Sequence, residues 1–113
     1  MSGITTHVLD TSRGRPAGGV LVVLEFQEKD GWREIVRAET DADGRVRQLL
    51  PAGSPFVAGT WRLTFDVGKY FATHGVEAFY PEASIVFVVR DTEQHYHVPL
   101  LLSPYGYSTY RGS

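Results

Sequence analysis

Four histidines stand in this chain, at positions 7, 74, 95 and 97, and two of them are spaced to act together. His95 and His97 lie two residues apart in the strand-like run HYHVPLLLS, so their imidazoles project from one face while Tyr96 and Val98 project from the other. With Tyr96 and Val98 in a core, both rings sit on the outer face of a sheet. His7 lies in a second alternating run, ITTHVL, with Leu9 on its own face and Val8 opposite. An imidazole has an unperturbed pKa of about 6.5 and exchanges protons near neutral pH, which suits general acid–base work. The same nitrogens suit zinc, since His7, His95 and His97 together supply the ligand number of a catalytic zinc site, although the pattern is loose. A strand histidine taken alone is ordinarily structural or exposed. His74 closes the only stretch that could be helical, where a capping or surface role is expected.

The elements that must position these rings are short strands. Runs over 4–9, 20–26, 32–40, 45–50, 61–67, 84–90, 95–103 and 106–111 carry β-branched and apolar residues between turn signals. Trp61, Leu63, Phe65 and Val67 alternate with Arg62, Thr64 and Asp66, the pattern of a strand with one buried face. Loops are expected at TSRGRPAGG and PAGSPFVAG, and turns at QEKDG, DADG and SPYG, where Gly, Pro and Asp supply tight backbone conformations. GKYFATHG, bounded by Gly68 and Gly75, is barely two turns long and must lean on a sheet. About eight strands and one short helix make an all-β chain, an antiparallel β-sandwich, in a single domain over residues 1–113.

Composition and spacing remove several classes of function. The formal net charge of −2 offers no electrostatic case for nucleic acid or for an anionic membrane surface. No apolar run approaches the roughly 18–20 residues of a membrane helix, and MSGITTHVLD lacks the basic start and apolar run of a secretory signal, so a cytoplasmic location is expected. There is no cysteine, which excludes disulfides, thiolate catalysis and thiolate zinc sites. ETDADG fails as a calcium loop, because its closing position is Leu50 rather than a bidentate Glu. The glycines at 14, 18 and 19 fit neither a phosphate loop nor a dinucleotide fingerprint.

Three separated blocks, THVLD, DADGR and HVPLLLSPYGYSTYRGS, resemble the 5-hydroxyisourate hydrolase family, the enzymatic relatives of transthyretin. The resemblance covers nearly the whole chain. It implies a transthyretin-like fold and matches the family's catalytic histidine to His7, its arginine to Arg45, its second histidine to His97, and its terminal signature tetrapeptide to Tyr110, Arg111, Gly112 and Ser113. Transthyretin itself keeps the fold but not those residues. The implied reaction is hydrolytic opening of the six-membered ring of 5-hydroxyisourate to 2-oxo-4-hydroxy-4-carboxy-5-ureidoimidazoline in urate degradation, with no metal and no cofactor.

Such a step needs a base for water, a positive group for the developing oxyanion and an acid for the leaving nitrogen. One of His7 and His97 would activate water while the other orients it or protonates the nitrogen; the sequence leaves the two roles open. Arg45 would hold the anionic substrate through its planar, permanently charged fork. Tyr110 and Arg111 would close the pocket, Gly112 would let backbone approach the ligand, and Ser113 would offer its hydroxyl and carboxylate. The resemblance further implies a homotetramer, a dimer of dimers, whose channel is lined by His7 and His97 beside Leu101, Ser108 and Tyr110 and covers an outward-facing run from Leu100 to Leu102. The alternative is a non-catalytic carrier binding a small aromatic ligand in that channel.

Overall fold

The structure, a computed structural model, describes residues 3–113; Met1 and Ser2 of the expected domain lie outside the described residues. Nine strands and one helix follow in order: β1 (Gly3–Asp10), β2 (Arg15–Pro16), β3 (Leu21–Glu28), β4 (Gly31–Glu39), β5 (Arg45–Val46), β6 (Gly59–Phe65), α1 (Val67–Thr73), β7 (Ala83–Val89), β8 (His95–Ser103) and β9 (Gly106–Thr109). One sheet runs β4-β3-β6-β7 and the other β2-β1-β8-β9, with β5 also paired to β1. No helix among the described residues is long and apolar enough to cross a membrane.

The two sheets bury the alternating apolar positions against each other. Leu24, Trp61, Leu63 and Phe65 from one sheet meet Ile4, Val8, Leu100 and Leu102 from the other, all essentially inaccessible to solvent. Each such side chain contributes on the order of 1.5–3 kcal/mol when fully buried. Trp61 packs edge-on to Phe26, with ring centroids 4.8 Å apart, and its indole N–H donates to the Val57 carbonyl at 3.1 Å. Along β1 every second residue is buried, which leaves Thr5, His7 and Leu9 on the outer face.

Four expectations are corrected. The loop expected at TSRGRPAGG contains the two-residue strand β2, which raises the strand number to nine. The strand expected over 45–50 stops at Val46, because the chain turns away from β1 after two paired residues. The sandwich is not wholly antiparallel: β1 and β8 pair in parallel. Side-chain alternation is the same for either strand direction, so it carries no sign of this. Of the leucines at 100–102, Leu100 and Leu102 are core residues and only Leu101 faces outward, as a period of two requires.

One polar cluster ties α1 to the sheet that holds β1. Asp10, with no exposed surface, ends β1. Its carboxylate accepts from the Ser12 amide and hydroxyl (3.1 and 2.6 Å), the Arg13 amide (3.3 Å) and the Tyr70 hydroxyl of α1 (2.8 Å). Burial pushes the Asp10 pKa up, but the hydrogen bonds from Ser12, Tyr70 and Arg13 together outweigh it and hold the carboxyl below its ordinary value. A folded value below the unfolded one means that the carboxylate's contribution is complete above about pH 4 and is lost as pH falls through the folded value. Tyr70→Phe is therefore expected to lower stability by about 1–3 kcal/mol at pH 7. In urea unfolding at pH 7 and pH 3 the difference from wild type should shrink at the lower pH; a constant difference would show that the hydroxyl does not act through ionised Asp10.

Candidate active site

The parallel register of β1 and β8 sets Thr5 beside His97 and His7 beside Pro99. His7 and His97 thus share the outer face, one strand and two residues apart, which is about 8 Å between Cα atoms at ordinary sheet spacings. On the other edge of β1, β5 sets Arg45 beside His7. Three adjacent strands, β5, β1 and β8, therefore present Arg45, His7 and His97 in a row.

The DADG turn fixes two of these groups at once. The Asp41 carboxylate accepts from the amides of Asp43 and Arg45 (2.9 and 3.0 Å), and the Gly44 amide donates to the Asp41 carbonyl at 2.9 Å. Gly44 has φ +76°, and a Cβ there would stand 2.3 Å from the Val8 carbonyl oxygen, so only glycine lets the turn sit this close to β1. From that turn the Asp43 carbonyl accepts the His7 Nε2–H at 2.9 Å. A carbonyl has no proton to give, so the Nε2 proton is fixed and Nδ1 is the free nitrogen of His7. The Arg45 guanidinium has no carboxylate within 4.0 Å among the described residues, whereas the neighbouring Arg47 pairs with Asp41 and Asp43.

His97 is gripped from two sides. Its Nδ1 shares a hydrogen bond with the Thr5 hydroxyl at 2.8 Å, and the same hydroxyl reaches His95 Nε2 at 2.8 Å. On the other side the Gly112 amide donates to the His97 carbonyl at 2.8 Å in an isolated antiparallel bridge. A Cβ on Gly112 would lie 2.5 Å from His97 Cδ2. The glycine's close approach is thus to the imidazole. With Nδ1 held by Thr5, Nε2 is the free nitrogen of His97. Burial first, and then the charges of Arg45, His7 and His95, push the His97 pKa below 6.5. The neutral ring is the resting form at neutral pH.

Other expected residues are not drawn into this row. Arg111 falls on the opposite side of the sheet edge: its guanidinium lies 4.3 Å from the Tyr96 ring centroid and donates to Gln94 Oε1 at 2.9 Å. Tyr110 is 58% exposed and Ser113 is also exposed. His74 caps α1, packs tilted against Tyr70 with ring centroids 4.7 Å apart, and its Nδ1 lies 3.1 Å from Arg13 Nη1, a structural placement. Both His95 and His97 turn to Thr5 rather than to a shared point with His7. Thr5 and the Asp43 carbonyl were not anticipated. Thr5 carried a usable signal, since it shares the β1 face with His7; a backbone carbonyl carries none.

A family model described as HIUase/Transthyretin matches residues 4–112. The chain belongs to this family. A 5-hydroxyisourate hydrolase from Salmonella dublin is 46% identical over 112 residues, covering 97% of this chain and 80% of the relative. Among solved structures, a 5-hydroxyisourate hydrolase from Klebsiella pneumoniae is 40% identical with a TM-score of 0.86, covering 100% of this chain and 94% of that one. A transthyretin from Sparus aurata is 32% identical with a TM-score of 0.91, covering 99% of this chain and 97% of that one. Backbone likeness alone does not separate the two branches of the family, as the transthyretin superposes slightly better. The identities favour the hydrolase branch.

Gly112→Ala is expected to push the His97 ring out of place while leaving the core untouched. Turnover in the family's reaction should fall by about 100-fold, the scale of an ångström-sized misplacement, with an unchanged melting transition. Unchanged turnover would mean that the ring tolerates the added methyl.

Proposed function

We infer that this chain is a cofactor-independent 5-hydroxyisourate hydrolase, and that His7, Arg45 and His97 carry the reaction. The observation behind this is the row itself: an unpaired guanidinium and two imidazoles with one nitrogen each free, on adjacent strands of one face. Arg45 holds the anionic oxidised purine and stabilises charge on the attacked carbonyl. Neutral His97 takes a proton from water through Nε2 as the water oxygen bonds to the carbonyl carbon. His7, entering the step as the imidazolium, gives its Nδ1 proton to the ring nitrogen as the carbon–nitrogen bond breaks, while the Asp43 carbonyl keeps accepting the Nε2–H. One proton leaves the water and one reaches the nitrogen, so His7 ends neutral and the proton taken from water stays on the enzyme's imidazoles. In this reading Tyr110 and Ser113 complete the substrate pocket, Gly112 sets the His97 ring within it, and Arg111, turned to Tyr96 and Gln94 within its own chain, holds the terminal segment in place.

A flat sheet face needs a cover, and a homotetramer supplies it. The edge of β7 opposite β6 and the edge of β9 opposite β8 are unpaired within the chain. Val86, 56% exposed, and Val88 stand on β7. Unpaired edges with apolar residues are ready to pair with a second copy, and two such dimers stacked through the outer face would enclose Leu101, Ser108 and the two histidines. A place in purine breakdown and a cytoplasmic location go with the reading; the cysteine-free composition suits a reducing compartment. The carrier reading leaves the unpaired Arg45 and the paired imidazoles without a purpose.

The test follows ultraviolet absorbance and circular dichroism while urate oxidase generates 5-hydroxyisourate in the cuvette. Decay faster than the uncatalysed background, with transient optical activity from a one-handed product, is expected of the wild type. His7→Ala and His97→Ala should each lose about 10²–10⁴-fold in turnover. A folded tetramer with neither signal would instead support the carrier.

A further inference from the structure

The Thr5 hydroxyl stands between two imidazoles and has one proton to give. His95 Nε2 and His97 Nδ1 are each 2.8 Å from Thr5 Oγ1, both within good hydrogen-bond range. The arrangement follows from register: Thr5 is beside His97 in the parallel pair, and His95, two residues back on β8, shares its outer face. If the hydroxyl donates to His95, it must accept from His97, which puts the His97 proton on Nδ1 and leaves Nε2 bare. If it donates to His97, the His97 proton must sit on Nε2, and the ring is no base.

We infer that Thr5 is a positioning residue that selects the first arrangement, holding His97 with a bare Nε2, and that His95 receives the proton displaced when His97 acts. This rests on the hydrolase reading given above. The transfer is balanced. As Nε2 takes a proton from water, the Nδ1 proton passes to the Thr5 oxygen while the Thr5 proton passes to His95 Nε2. His97 ends neutral, Thr5 is again a hydroxyl, and His95 holds the positive charge as an imidazolium.

The surroundings favour that direction. Arg45 from β5, His7 from β1 and His95 from β8 are the charged or titratable groups around His97, and the chain end adds the Gly112 backbone while Arg111 is turned to Tyr96. A charge left on His97 would sit beside Arg45. His95 instead borders a hollow of about 410 Å³ that it shares with Thr5, Arg47, Gln48 and Ser54 and that His97 does not line. The displaced charge therefore moves from beside the unpaired Arg45 to the rim of a hollow whose cation, Arg47, is paired with Asp41 and Asp43.

Thr5→Val keeps the shape and the β-branch while removing the hydroxyl, and Thr5→Ser restores it. In the 5-hydroxyisourate assay Thr5→Val is expected to lower kcat by about 10- to 100-fold with KM changed less than about twofold, and Thr5→Ser should recover most of the loss. His95→Gln, which accepts a hydrogen bond but stores no proton, should lower kcat as well. The Thr5→Val/His95→Gln double variant should then be no slower than the slower single one, as expected for residues acting as a unit. Nitrogen-15 spectra of the ligand-free wild type should place the His97 proton on Nδ1, and those of Thr5→Val should shift it toward Nε2. Wild-type kcat in Thr5→Val, fully additive losses, or a wild-type proton on Nε2 would each overturn the assignment. A wild type with no hydrolase activity would sink the functional reading instead, while the spectra would still decide whether Thr5 sets the tautomer.

Discussion

Everything at the site depends on the parallel pairing of β1 with β8. The two strands lie at opposite ends of the chain, and their register runs unbroken from Gly3 beside His95 to Asp10 beside Leu102. A slip by one residue would turn His7 or His97 into the core and expel Val8 or Leu100 from it. The hydrophobic core therefore enforces the geometry of the site: the burial of Ile4, Val8, Leu100 and Leu102 is what keeps Thr5, His7 and His97 on the other face.

The neighbouring contacts refine what the register sets. A left-handed glycine at 44 brings the DADG turn against β1, so one turn delivers both the Arg45 guanidinium and the carbonyl that orients His7. A glycine at 112 brings the chain end against His97. Crowding these groups costs electrostatic energy. Arg45 is left without a carboxylate, and His97 is held toward its neutral form by burial and by three neighbouring cationic or cationisable groups. Residues placed this way stabilise little on their own.

Much of this was legible in the sequence, and the rest was hidden for identifiable reasons. The alternation around Trp61, Leu63 and Phe65 named a buried strand face correctly, and HYHVPLLLS placed Tyr96 and Val98 inside and both imidazoles outside. The short helix and the cap at His74 also followed from local signals. Partner choice did not, because a period of two is blind to whether a neighbour runs parallel or antiparallel. Alternation put Thr5 on the face of His7, but its two imidazole partners lie across the strand pair, which alternation does not show. The resemblance gives Arg111 a part in closing the pocket, and alternation past the Gly112 bridge turns its guanidinium to the Tyr96 side. Resemblance named His7, Arg45 and His97; the register explains why those three positions belong together.

The most direct test of this account is the ionisation of His97 itself, followed by nitrogen-15 resonances across a pH titration of the wild type and of Arg45→Gln. The wild-type midpoint is expected below 6.5 and the variant's higher, because removing a neighbouring positive charge makes protonation easier. A wild-type midpoint at or above 6.5, unmoved by Arg45→Gln, would mean that the three groups do not share one electrostatic site.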